Sequence, residues 1–143
     1  MDVDDIDAWI DPFIGEWVLD AVSATFHQGE TPTSGKQVIA RVGADLNFSI
    51  ELSYEAAVTE KNRLVSRPDG RPEVFNGGDL ADAIVTRLPT RGVLETVASY
   101  KGVERMSVTR RLSVDGMSMI VKQTVTLPDQ TQVANEATYH RLQ

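Results

Sequence analysis

The sequence predicts an all-β protein, an antiparallel up-and-down β-barrel of about ten strands. Three observations carry that prediction. Segments in which apolar and polar residues alternate recur at roughly 10-residue spacing. Turn-forming residues separate them: Pro68-Asp69-Gly70, Asn76-Gly77-Gly78-Asp79, Asp115-Gly116 and Pro128-Asp129. No segment carries a convincing helical period. Strands paired in succession leave two edges exposed unless the sheet closes, and a closed sheet of this size can enclose a small-ligand cavity.

Residues 1–12 form an acidic lead-in, with Asp2, Asp4, Asp5, Asp7 and Asp11. The spacing superficially resembles a calcium loop, but the required glycine and terminal glutamate are missing. A solvated lead-in of one helical turn is expected, with Trp9 and Ile10 as plugs at a barrel end. Phe13, Gly15, Trp17 and Leu19 share a face and start the first strand. Residues 24–34, with His27, Gly29 and Pro32, are too short and polar for a helix pair. In 35–42, Val38, Ala40 and Val42 alternate with Gln37, Ile39 and Arg41. Leu46, Phe48, Ile50, Leu52 and Tyr54 then alternate cleanly with polar neighbours, the signature of a half-buried strand. Short strands over 62–67 and 71–75 flank the Pro68-Asp69-Gly70 turn. Strands over 83–88, 92–100 and 104–114 follow.

The stretch from Val103 to Leu142 reads as three strands joined by tight turns. In the first, Met106, Val108, Arg110, Leu112 and Val114 share one face, apolar except for Arg110. In the second, Met117, Met119, Val121, Gln123, Val125 and Leu127 do the same, with Gln123 as the polar member. A buried guanidinium costs several kcal/mol, roughly, unless it is paired or solvated. Arg110 therefore needs a partner: an anionic ligand gripped by two parallel hydrogen bonds, or an internal salt bridge from Glu51, Glu95 or Glu104. A register slip at Arg110-Arg111 would instead turn it outward.

At 143 residues the chain is one domain, 1–143. It has no cysteine, so neither a disulfide framework nor a thiolate metal site is available. The net charge of −7 disfavours nucleic acid and anionic membrane surfaces. No apolar run approaches the roughly 18 residues a membrane span needs. The N-terminus lacks a secretory pattern, so a cytoplasmic location is expected, or a periplasmic one if a signal was removed. Nothing selects a monomer over a homodimer. His27 and His140 are the only histidines. His140 falls on a polar phase, and two histidines do not make a zinc site. No metal or cofactor is implied.

Phe13-x-Gly15-x-Trp17 resembles the signature of the calycin superfamily, which holds lipocalins and fatty-acid-binding proteins. The resemblance implies that Trp17 closes the barrel bottom against a basic residue of the last strand, matched here by Arg141. From Phe13 onward the chain is similar to small bacterial lipocalin-like proteins, through Gly15-Trp17-Leu19, Asp69-Gly70-Pro72, Arg110-Arg111 with Asp115-Gly116, and Tyr139-Arg141. In the intracellular lipid-binding relatives, an inward arginine and an Arg-x-Tyr pair clamp a ligand carboxylate. Thr109-Arg110 and Tyr139 match; Ala137 stands where the second arginine would be. The helix-turn-helix lid of those relatives has no counterpart in 24–34.

The expected function is binding of a small hydrophobic or amphipathic ligand in the lumen, anionic if Arg110 holds its polar end. Arg110, Tyr139, Gln123, Met106, Met119, Tyr54 and Phe48 are the candidate ligand contacts. Methionine adapts to irregular ligands but also fills core gaps. Two alternatives stand beside this reading. One is an isomerase- or cyclase-type enzyme, with Arg110 and Tyr139 polarising an oxyanion. The other is a structural protein whose barrel is filled by its own side chains and whose surface does the work. No catalytic triad or cysteine nucleophile is legible.

Overall fold

The computed structural model describes residues 3–27, 29–55 and 59–142. Helix α1 (Val3–Ile10) runs into a 3-10 turn (Asp11–Phe13), which corrects the expectation of a single helical turn. Ile6, Trp9, Ile10 and Phe13 recur at helical spacing. They seat α1 on the closed end of the barrel, where Ile10 and Phe13 are fully buried and Ile6 and Trp9 pack against the same core. Asp2, and the side chains of Asp4 and Asp5, lie outside the described residues.

Ten strands follow: β1 (Gly15–Phe26), β2 (Ser34–Val42), β3 (Asp45–Ser53), β4 (Thr59–Ser66), β5 (Glu73–Val74), β6 (Ala83–Thr90), β7 (Val93–Tyr100), β8 (Val103–Leu112), β9 (Ser118–Thr126) and β10 (Gln132–Arg141). They form one antiparallel sheet in the order β4-β3-β2-β1-β10-β9-β8-β7-β6-β5. Two expected boundaries are corrected. β1 reaches Phe26, because a bulge between Asp20 and Thr25 lets it keep pairing with β10 past the irregularity. β5 holds two residues, not five: Pro72 has no N–H to donate, and Asn76-Gly77 turns the chain away. No helix among the described residues is long and apolar enough to cross a membrane.

The sheet edges β4 and β5 meet through side chains rather than a backbone ladder. Glu73 accepts from Ser66 Oγ at 2.5 Å and from the Arg67 backbone N–H at 3.1 Å. Buried Ser66 also lies 2.7 Å from Thr86 Oγ1, which lies 3.0 Å from Thr96 Oγ1. This polar seam completes a nearly closed barrel.

The closed end is packed solid by Ile10, Phe13, Trp17, Leu19, Ile39, Leu46, Phe48, Leu94 and Met119. Arg141 caps it. Its guanidinium lies 4.2 Å from the Trp17 ring and donates to the carbonyls of Ile14 (2.8 Å), Gly116 (3.1 Å) and Pro12. Gly15 makes room, since a Cβ there would stand 2.8 Å from Arg141 Nη1, and its φ of +141° suits glycine. A second cluster (Ala81, Ile84 and Ala98 with Leu64, Phe75 and Met106) fills the barrel beside β6 and β7.

Candidate ligand-binding cavity

The space left over is a cavity of about 520 Å³, within the range of small-molecule sites. β2–β4 wall it on one side and β8–β10 on the other, with Phe26 and the loop residues Gly29 and Glu30 above. β5–β7 contribute no lining residue, because the second cluster occupies their side.

Strand register sets the cavity in rows. Arg110 pairs across with Val121, and Val121 with Ala137. One row toward the mouth, Val108 pairs with Gln123, and Gln123 with Asn135. On the opposite wall Gln37, Ile50 and Asn62 form one row, and Gly35, Leu52 and Glu60 the next. Inward positions share a parity along each strand.

Arg110 is 2% exposed and lies on the cavity floor. Its Nε donates to Gln37 Oε1 at 3.2 Å, and its guanidinium sits 4.4 Å from the Phe48 ring centroid. Among the described residues no carboxylate pairs with it. Glu95 instead pairs with Arg87 at 2.7 Å, and Glu51 and Glu104 are exposed. Its terminal amino groups make no hydrogen bond to a described residue. Burial pulls its pKa down to about 10, while Tyr139 opposes that shift. Burial raises the pKa of the Tyr139 hydroxyl; a hydrogen bond from Gln37 and the Arg110 charge pull the other way. The floor thus presents a cation, an amide and a neutral phenol.

Of the residues named from sequence, Arg110, Tyr139, Gln123 and Tyr54 line the cavity. Phe48 lies beneath Arg110 as its platform. Met119 is fully buried in the closed-end core, and Met106 packs on the second cluster, where its sulfur accepts from Gln123 Nε2 at 2.9 Å. Neither methionine lines the cavity. Tyr54 stands at the mouth, its hydroxyl donating to Glu60 Oε2 at 3.3 Å. His27 is exposed in the loop, and exposed His140 lies 3.3 Å from Asp20. The described residues hold no group of three His, Asp or Glu able to bind a metal.

Gln37 was not singled out from sequence, because the apolar members of its strand (Val38, Ala40, Val42) alternate on the other phase. The signal lay in the hairpin. The two-residue turn after Val42 pairs it with Asp45, so Ile39 faces Phe48 and Gln37 faces Ile50. The clean alternation of β3 therefore fixes which residues of β2 point inward.

Among solved structures, the chain aligns with the Schistosoma mansoni fatty acid binding protein in complex with arachidonic acid. The match covers 94% of this chain and 98% of that one, with a TM-score of 0.59 and 14% identity. It also aligns with zebrafish ileal bile acid-binding protein complexed with cholic acid, over 92% and 99% of the two chains, with a TM-score of 0.56 and 14% identity. The fold is the antiparallel barrel of these two proteins. No protein-family model matches the sequence, and no curated protein matches it. The chain joins β1 to β2 through a short loop with no helix pair among its described residues. The Trp17–Arg141 contact that the resemblance implied is present at its closed end.

Proposed function

We propose that this barrel binds a small amphipathic anion, a carboxylate or its equivalent, with the charged end on Arg110, Gln37 and Tyr139. One observation carries the reading: a buried guanidinium without a carboxylate partner among the described residues, on a residue that lines a cavity of about 520 Å³. Burying such a charge is costly unless an anion arrives, and an arginine fork suits two carboxylate oxygens. Val108, Val121, Ile50, Leu52 and Phe26 supply apolar wall, and a few polar groups supply orientation. Two proteins of the same fold are in complex with arachidonic and cholic acids, which supports the ligand class.

Native mass spectrometry and displacement of a fluorescent fatty acid test this. Wild-type protein should take up the probe, and Arg110→Met, with its circular dichroism unchanged, should lose at least about tenfold in affinity. Equal uptake by a folded Arg110→Met variant would remove the anion seat. The enzyme reading draws on the Tyr139 hydroxyl beside Arg110. On the floor a cation, an amide and a raised-pKa phenol orient and polarise a ligand but none is a base near neutral pH, and the carboxylates Glu30 and Glu60 stand at the mouth rather than beside them, so binding is the reading retained.

A further inference from the structure

The two ends of the cavity carry opposite charge. The floor holds Arg110. The mouth holds Glu60, which faces inward from β4 in the row of Gly35 and Leu52, and Glu30 from the loop after β1. Neither carboxylate forms an ion pair among the described residues. The Tyr54 hydroxyl donates to Glu60, and both carboxylates raise the Tyr54 pKa alongside the burial that leads the shift. They therefore act on the same small volume. The cations of β4, Lys61 and Arg63, face outward and line a separate groove on the outer face with Lys36.

A mouth of this sign repels a simple fatty-acid anion on its way in, and it leaves two carboxylates facing the far end of any ligand seated on Arg110. The Glu60 row lies two residues beyond the Gln37 row, an axial offset of about 7 Å. The width of the barrel adds to that separation.

We infer that the cavity selects a dipolar amphiphile, with an anionic group at one end for Arg110 and a cationic or multiply N–H-donating group at the other for Glu60 and Glu30. This rests on the reading of Arg110 as an anion seat. Charge complementarity at both ends fixes the ligand's direction and ranks a plain acid below a dipolar ligand, and a diacid below both.

The test compares 8-aminooctanoate with octanoate and octanedioate by calorimetry, in the wild type, Glu60→Gln and Arg110→Met. The expected order is 8-aminooctanoate tightest, about fivefold over octanoate, with octanedioate weakest. In Glu60→Gln that ratio should fall toward unity. A wild-type ratio of one or less, or a ratio unchanged in Glu60→Gln, overturns the dipolar preference and leaves the anion seat standing. Wild-type affinity for octanoate in Arg110→Met removes the seat itself, and the inference with it.

Discussion

At the residue scale, the decisive group is Arg110, whose position weakens the fold. Its pKa near 10 is that of a base whose charged form is disfavoured by burial. The sign follows from proton binding. Above about pH 10 the unfolded chain holds a proton that the folded chain has released, so this group makes stability rise with pH there, up to the ordinary arginine value. At neutral pH both states are charged and the whole penalty, about 3 kcal/mol, is present. Replacement by methionine removes that penalty but also the Gln37 hydrogen bond. Arg110→Met is therefore expected to be more stable than wild type by about 1–3 kcal/mol at pH 7, read from urea midpoints without ligand. A less stable variant would mean that the guanidinium is part of the scaffold. Arg141 is the opposite case: it too touches an aromatic ring, but three carbonyl acceptors satisfy it.

At the element scale, the seam between β4 and β5 is the weakest join in the barrel. Every other neighbouring pair shares a backbone ladder, whereas here Glu73 holds Ser66 and the Arg67 N–H by side-chain hydrogen bonds. Glu73→Ala is expected to cost about 1–3 kcal/mol, because it leaves buried Ser66 short of a partner, and to speed amide exchange across β4 far more than across β9. Unchanged exchange in β4 would show that the seam does not limit its opening. Because Glu60 and Asn62 of the same strand line the cavity, opening of this strand would loosen that wall as well. The elements themselves were largely legible. Alternation gave the ten strands, and it gave β8 and β9 with the inward phase of Arg110 and Gln123. α1 was the miss among elements, because its apolar positions sit among five aspartates and the acidic composition masked the helical period.

At the scale of the whole molecule, the barrel is only partly filled. One end is close-packed, one side is closed by the second cluster, and the remainder is cavity. A ligand that binds only the folded state should raise stability by about 2.7 kcal/mol at a hundred times its Kd. A thermal-shift titration with 8-aminooctanoate should show a rising midpoint in the wild type and none in Arg110→Met. A rise of equal size in both would put the ligand elsewhere.

The sequence by itself determined the strand count, the antiparallel order and the phase that sets Arg110 among apolar residues, because these follow from a period of two and from turn residues that act locally. It could not decide what stands opposite Arg110. That depends on pairings between strands far apart in the chain, and only the closed barrel carries Gln37 of β2 to Arg110 of β8, 73 residues away. Nor could it separate Met106 and Met119, which share the expected inward phase yet serve as packing, from Val108 and Val121, which line the cavity. Phase says which face a side chain occupies; how full the barrel is at that height is a property of all ten strands together.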